Sequence, residues 1–132
     1  MPVDTCSFSK FFDKYTVATT GWAYNDSGGA AATAGWKSAR YNELAIQTCV
    51  ATHSAGSDKT VVWRIEGKYN DSDRAASIYI FSKTAANPID QLYRVTEKVK
   101  QIRLGVKLGV VIGSLTGSTV IVYAGLGRTE YR

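Results

Sequence analysis

The chain contains few of the residues that build metal centres, disulfide frameworks and nucleophilic active sites. Its 132 residues include one histidine (His53), two cysteines (Cys6 and Cys49), one methionine and two prolines. Zinc sites need clustered histidine and cysteine ligands, which this set does not supply, and two cysteines are too few for a disulfide framework. P-loop and GxGxxG motifs are also absent from the sequence. We therefore expect neither a metal ion nor an organic cofactor.

Long runs of like charge are absent as well. The chain has 16 Lys and Arg residues against 11 Asp and Glu residues, which gives a formal net charge of +5. The densest basic group is diluted by Glu97 and comprises Arg94, Lys98, Lys100, Arg103 and Lys107. This scatter favours a solvated face or a protein interface over a nucleic-acid groove. A basic chain of this kind suits an acidic protein surface.

Residues suited to acid–base or nucleophilic catalysis do not form a convincing set. His53 lies near serines and Asp58 in an expected turn, but catalytic triads are assembled from separate segments of a chain. Glu43 and Glu66 are expected on outward strand faces and could lie close together, as in a glycoside hydrolase. Exposed strand carboxylates are nevertheless ordinary surface residues. We expect no enzyme activity, no catalytic residues and no small-molecule substrate.

The start of the chain lacks an apolar run. Met1–Lys10 contains Asp4 and reads as polar, so we expect no secretion leader. We interpret residues 1–9 as a flexible N-terminal arm, because short polar chain ends stay loose unless they are docked. The length of the remainder suits one unit. We therefore predict a single β-sandwich domain over 10–132.

One long uncharged stretch has two interpretations. Leu108–Gly127 has the length of a membrane-spanning helix. However, it contains two β-branched runs, Val110–Ile112 and Val120–Val122, separated by a polar segment rich in glycine. This pattern favours a β-hairpin over a spanning helix. We expect no membrane association.

Period-two alternation of apolar residues is the main structural signal. The clearest example is Ile102, Leu104, Val106 and Leu108, which alternate with polar residues and glycine. A similar alternation surrounds Trp63. Such segments are typical of half-buried strands. The fold class predicted is all-β: an antiparallel β-sandwich or jelly roll of about seven or eight short strands.

Two segments are harder to assign. Residues 88–98 carry a helical stripe that begins after Asn87-Pro88, a typical helix start, so a short helix is possible there. An all-β layer count favours a strand instead. Ser77–Phe81 is apolar on both faces, which places it in the middle of a sheet or at an interface.

Aromatic residues flank a segment that is rich in glycine and alanine. Trp22 and Tyr24 precede the segment 25–35, and Trp36 follows it. We interpret the segment as a surface loop. The rings have three interpretations: a cap on the sandwich core, a protein interface, or a platform for a sugar or a base.

The strand motifs resemble those of a family of virion proteins. Trp63-Arg64-Ile65-Glu66-Gly67 precedes Gln101-Ile102-Arg103-Leu104-Gly105-Val106, and a closing Val120-Ile121-Val122-Tyr123 follows. The series resembles small β-sandwich structural proteins of tailed bacteriophages, including capsid cement and decoration proteins. This resemblance implies a non-enzymatic virion protein, assembled in the host cytoplasm, that stabilises the lattice of the major capsid protein. It also implies a homodimer or homotrimer and no catalytic residues.

On this interpretation the candidate interface consists of aromatic and basic residues. They are Phe8, Phe11, Trp22, Tyr24, Trp36, Tyr79, Phe81, Arg94 and Arg103. Three alternatives remain. A carbohydrate-binding module would use Trp22, Tyr24 or Trp36 as stacking rings. A single-strand nucleic-acid binder would use Arg94, Lys100 and Arg103 with Tyr93. A tail or neck component of the virion would share the sequence features of a cement protein.

Overall fold

The computed structural model describes residues 5–17, 21–29, 33–40, 43–53, 60–69, 76–84, 89–109 and 120–130. Eight strands form the regular structure of this part of the chain. The first four are β1 (Thr5–Thr16), β2 (Lys37–Ser38), β3 (Glu43–His53) and β4 (Thr60–Lys68). The other four are β5 (Ala76–Thr84), β6 (Ile89–Val95), β7 (Gln101–Leu108) and β8 (Val120–Glu130). Across these ranges the structure contains no helix that is long and apolar enough to span a bilayer.

The strands form two antiparallel sheets of four. Sheet I has the order β1-β8-β3-β6, and sheet II has the order β2-β7-β4-β5. The first strand therefore pairs with the last, the second with the seventh, the third with the sixth and the fourth with the fifth. This pairing is that of one long hairpin rolled up so that successive strand pairs fall in opposite sheets, which is the jelly-roll arrangement. The predicted all-β fold class is confirmed.

The core lies between the two sheets and follows the alternation in the sequence. The apolar positions of β7, from Ile102 to Leu108, are almost fully buried. Trp63 on β4 in sheet II meets Phe12 on β1 in sheet I edge to face, with ring centroids 6.3 Å apart. Because both rings are about 1% exposed, truncating Trp63 to alanine would cost about 3–5 kcal/mol.

Residues 89–95 form a strand, so the alternative of a short helix within 88–98 is wrong. β6 pairs with β3 from Leu44 opposite Val95 to Val50 opposite Ile89. The apparent helical stripe does not share one face, since Val95 is buried whereas Leu92 is 65% exposed. Pairing with β3 overrides the local pattern, a common outcome for short elements. Asn87 and Pro88 lie outside the described residues.

The chain joins sheet I earlier than the sequence indicates. β1 begins at Thr5, and Thr5 to Ser9 pair with Glu130 to Leu126 of β8. This differs from the expected flexible arm over residues 1–9, of which 1–4 lie outside the described residues. The pairing uses backbone hydrogen bonds, which a polar composition does not prevent.

Two other local expectations are corrected by the strand order, and a third, the hairpin of Val110–Ile112 with Val120–Val122, falls partly outside the described residues. Val122 of β8 pairs with Tyr15 of β1 and with Val50 of β3. Residues 110–119 themselves are outside the described ranges. β5, which contains Ser77–Phe81, lies at the edge of sheet II and not in its middle. His53 ends β3, opposite Val120, and does not lie in a turn.

Candidate interaction site

The outer face of sheet II is buried at its centre, although charged residues lie there. Glu66 on β4 and Arg103 on β7 are only 4% and 6% exposed. Both point away from the core, since their neighbours Ile65 and Leu104 point into it. These outward positions are therefore covered by other parts of the chain.

The covering segments are the two flanks of the Gly/Ala-rich region. The backbone N–H of Ala23 donates to the carbonyl of Val106 at 2.9 Å, and the N–H of Val106 donates back to Ala23 at 2.9 Å. Farther along β7, Lys37 of β2 pairs with Ile102. Both flanks thus extend sheet II beside β7. Trp22–Tyr24 therefore does not continue β1, which lies in sheet I.

The register of these pairs sets the direction of the aromatic rings. Ala23 points into the core and is 4% exposed, so its neighbours Trp22 and Tyr24 lie on the outer face. Because Ala23 lies opposite Val106 in an antiparallel pair, Tyr24 lies beside Gly105. Trp36 reaches the same face one residue before Lys37.

Gly105 provides the space into which the Tyr24 ring packs. A Cβ at this position would lie 2.6 Å from Cε1 of Tyr24 and 3.1 Å from Cε3 of Trp22. The ring therefore crosses β7 where β7 has no side chain. Its hydroxyl then reaches β4 and donates to Oε1 of Glu66 at 2.8 Å. Gly35, with φ +76°, packs still more closely on the Tyr24 backbone, because an ideal Cβ at Gly35 would overlap the carbonyl oxygen of Tyr24.

Cations and aromatic rings alternate across this face. The cation-to-centroid distances are 4.6 Å for Lys107–Trp22, 4.2 Å for Arg64–Trp22, 5.8 Å for Arg64–Tyr24, 3.7 Å for Arg103–Tyr24, 4.6 Å for Arg103–Trp36 and 4.4 Å for Lys68–Trp36. All are within cation–π range. We call this series of seven side chains the cation–aromatic ladder.

Glu66 holds the two central arginines of the ladder in place. Its Oε2 accepts hydrogen bonds from Nε and Nη2 of Arg103 at 3.1 and 2.9 Å. Its Oε1 forms an ion pair with Nε of Arg64 at 2.6 Å. Arg64 also donates to the Tyr24 hydroxyl, and Nη1 of Arg103 donates to the carbonyl of Ala34 at 3.2 Å. Such connected buried networks are rigid.

The ladder is a cationic surface. Among the residues that the structure describes, four cations (Arg64, Lys68, Arg103 and Lys107) surround one carboxylate, Glu66, which gives this set a formal charge of +3. Burial raises the pKa of the Tyr24 phenol above its ordinary value, so this hydroxyl stays protonated at neutral pH. The site can therefore bind anionic groups electrostatically, with the half-buried rings of Trp22 and Trp36 at the surface.

The ladder contains four of the nine interface residues expected from the sequence: Trp22, Tyr24, Trp36 and Arg103. Trp22 and Trp36 are half-buried and can contact a partner, whereas Tyr24 and Arg103 are buried beneath them. Phe11 is a correction, since it packs in the core at 4% exposure and is unavailable to a partner. Arg94 is exposed, but on sheet I. Phe8 lies on β1, and Tyr79 and Phe81 lie on β5; the side chains of these three are outside the described part of the structure.

Sequence reasoning missed four members of the site: Arg64, Glu66, Lys68 and Lys107. These residues occupy the outward-facing positions that alternate with the apolar positions of β4 and β7. From the sequence alone, such positions are expected to be ordinary solvated surface. The glycoside-hydrolase pairing of Glu43 with Glu66, which the sequence left open but did not favour, does not form, because the two residues lie on β3 in sheet I and on β4 in sheet II. The motifs behind the bacteriophage resemblance supply several members, including Glu66 and Arg103.

The fold also separates the proposed nucleic-acid set. Arg94 and Tyr93 lie on β6 of sheet I, whereas Arg103 lies on β7 of sheet II. Among the described residues, no cluster of histidine, cysteine, aspartate and glutamate could hold a metal ion. Cys49 carries a thiol and is not part of a disulfide. Comparison of the chain with known protein families, with curated proteins and with solved structures finds no match.

Proposed function

We propose that this chain is a non-enzymatic structural protein of a virus particle. Its role is that of a capsid cement or decoration protein, and the cation–aromatic ladder binds an acidic surface of the major capsid protein lattice. The resemblance of its strand motifs to virion proteins of tailed bacteriophages supports this role. The jelly roll supports it only weakly, because virus capsid domains, lectins and cupins all use that fold.

The ladder is the observation that carries the proposal. Tryptophan, tyrosine and arginine are the residues most enriched at binding hot spots. Trp22, Trp36 and Arg64 are the half-buried members that a partner can contact. Buried Glu66 and Arg103 hold Arg64 and Trp36 in place from below, so little side-chain freedom is lost on binding. The charge of the surface complements an acidic partner, which speeds association and selects against basic surfaces.

A cement protein also gains from repetition. Each copy contacts the lattice weakly, and a dimer or trimer multiplies these contacts through effective concentration. We therefore propose that the protein is a homodimer or homotrimer in the virion and that it does not require nucleic acid for attachment.

The test is co-sedimentation of the purified protein with intact virus particles from its source, after light scattering has given its mass in solution. We expect a discrete oligomer that co-sediments at low salt and is released as salt rises, because screening weakens the charge attraction. A monomer that stays in the supernatant at low salt would contradict the proposal.

A charge-reversal pair shows whether the ladder is the attachment surface. Lys68 and Lys107 end the ladder on half-buried positions, so Lys68→Glu with Lys107→Glu should fold. We expect particle binding to weaken by roughly tenfold or more. The matched control is Lys14→Glu with Lys100→Glu, two exposed positions with the same change in charge. Equal binding by the two variants would exclude the ladder.

Carbohydrate binding is less well supported by this geometry. Tyr24 is 3% exposed, so its ring offers no face to a sugar. Trp22 and Trp36 each have two cations over their rings. Glycan-array binding that is lost on substitution of Trp22 or Trp36 by alanine would favour the carbohydrate-binding alternative over the cement role.

A further inference from the structure

The outer face of sheet I carries a groove along β8. Its floor is formed by Gly125 and Gly127 of β8 and Ala45 of β3, which face outward where larger side chains are usual. Lys10 of β1 and Leu92 of β6 stand on its two sides. Three adjoining cavities of about 310, 320 and 610 Å³ make up this β8 groove.

The cavities are continuous along the strand. The first and second share Gln47 and Gly125 in their linings, and the second and third share Ala45 and Gly127. The groove extends from Tyr123 to Thr129. At roughly 3.4 Å per residue this is about 20 Å, the length of a short extended peptide.

The two ends of the groove differ in chemistry. The Tyr123 end is lined largely by apolar atoms, and its outward-facing side chains include Cys49 and Tyr123. Next to it lies Leu92, which is 65% exposed and adds an apolar side chain to the lining. The other end is lined by Arg94 and Lys98 together with Glu43, which leaves a formal charge of +1. Arg128 also borders this end, but its Nη1 points toward sheet II and donates to the carbonyl of Ser38 at 2.7 Å.

We propose that the β8 groove binds an extended segment of a neighbouring capsid subunit, with apolar side chains toward Tyr123 and carboxylates toward Arg94 and Lys98. The identity of the partner rests on the proposed function. The groove and the cation–aromatic ladder lie on opposite faces of the sandwich. A protein that joins subunits needs two separate attachment surfaces, and this arrangement provides them.

The charge and polarity of the groove select this occupant. A neutral oligosaccharide gains nothing from a cationic end, whereas an acidic segment does. A second copy of the chain carries a formal net charge of +5, so it is not the acidic occupant that the cationic end of the groove selects. The floor of the groove also faces solvent, so a segment can bind there without any displacement of the sheet.

The experiment fills the groove without changing its charge. An ideal Cβ at Gly125 lies 3.5 Å from the carbonyl oxygen of Ser9, an ordinary contact. Gly125→Ala should therefore fold and leave most of the groove open, whereas Gly125→Leu should fill its centre. The probe is a labelled peptide of alternating valine and threonine with aspartates at one end. Two versions are prepared, one with the aspartates at the N-terminus and one with them at the C-terminus.

We expect fluorescence anisotropy to show binding of at least one aspartate peptide. Gly125→Leu should weaken this binding by at least roughly tenfold and Gly125→Ala by much less, while circular dichroism shows that both variants are folded. Arg94→Glu with Lys98→Glu should weaken it to a similar extent. A peptide of the same pattern that ends in lysines should not bind.

Three binding results would overturn the proposal: no binding of either aspartate peptide, equal binding by Gly125→Leu and the wild type, or preferential binding of a neutral cello-oligosaccharide. A dimer abolished by Gly125→Leu would assign the groove to self-association instead. This assay uses no virus particles. Failure of the groove is therefore distinguishable from failure of particle attachment through the ladder.

Discussion

The two outer faces of the sandwich use glycine in opposite ways. On sheet II, the space beside Gly105 is filled by the ring of Tyr24, 2.6 Å from an ideal Cβ. On sheet I, the space above Gly125 is open, and the nearest atom to its ideal Cβ is a backbone oxygen at 3.5 Å. A glycine in the middle of a strand thus leaves a gap, and the rest of the chain determines whether the gap becomes a packing site or a groove.

The charges on the two faces differ in the same way. On sheet II, Glu66 and Arg103 are buried and joined by two hydrogen bonds. On sheet I, Lys10 and Asp13 form an ion pair at 3.2 Å whose side chains are 71% and 52% exposed, and such pairs contribute little to stability. We infer that the ladder stabilises the fold, whereas the groove face can be altered at small cost.

The strongest test of this difference is removal of the buried carboxylate. Glu66→Gln leaves Arg103 buried without its anionic partner, and we expect the free energy of unfolding to fall by about 3–5 kcal/mol. Urea denaturation measures the change. Glu97→Gln, at an exposed position, is the control and should change stability by less than about 0.5 kcal/mol. Similar small effects for both variants would show that the ladder does not stabilise the fold.

The two glycines can be compared directly with the same substitution. Gly105→Ala forces the Tyr24 ring away from β7, and overpacking of this kind costs about 1–3 kcal/mol. Gly125→Ala meets no obstruction and should be neutral or stabilising by up to about 1 kcal/mol. Thermal and urea unfolding of both variants measure the difference. If the two substitutions had equal effects, the faces would not differ in the way the structure indicates.

Tyr24→Phe removes one hydrogen bond from the ladder and keeps the ring. The hydroxyl donates to Glu66 at 2.8 Å in a buried setting, so its loss should cost about 1–2 kcal/mol. The measurement is again urea denaturation. Tyr69→Phe, at a residue that is 62% exposed, is the matched control. A cost near zero for Tyr24→Phe would mean that Glu66 is satisfied by the arginines alone.

The smallest expected effect is on alkaline stability. The pKa of Tyr24 is raised above 10.0 mainly by burial; the hydrogen bond from Arg64 opposes this rise and Glu66 adds to it. The folded state therefore keeps the phenolic proton to higher pH than the unfolded state. The resulting stability is complete below about pH 10 and is lost as pH rises through the folded pKa.

We accordingly expect wild-type stability to fall more steeply above pH 10 than that of Tyr24→Phe. Urea midpoints measured from pH 8 to pH 11 would show this as a difference in slope. The stability of the variant should still fall as the pH rises, because burial also raises the pKa of Tyr15 and Tyr93. Parallel slopes would indicate that the Tyr24 phenol is exposed to solvent.

Much of the fold was predictable from the sequence because strands carry a local signal. The alternation around Trp63 and from Ile102 to Leu108 predicted half-buried strands, and the fold class follows from counting such segments. The strand at 89–95 was favoured by the same count, although its own pattern was ambiguous. The edges of strands were less predictable: the pairing of Thr5–Ser9 with β8 depends on backbone hydrogen bonds, which leave no mark on side-chain composition.

The candidate site was likewise predictable only in part from the sequence. The sequence by itself determined that Trp22, Tyr24, Trp36 and Arg103 merit attention, and that charged and apolar residues alternate on β4 and β7. Only the tertiary structure decided that Glu66 is buried beside Arg103 and that Gly105 receives a ring from a segment about 80 residues earlier. Alternation fixes the face on which a residue lies, because it depends on neighbours along one strand. What covers that face depends on distant segments that meet only when the chain has rolled into two sheets.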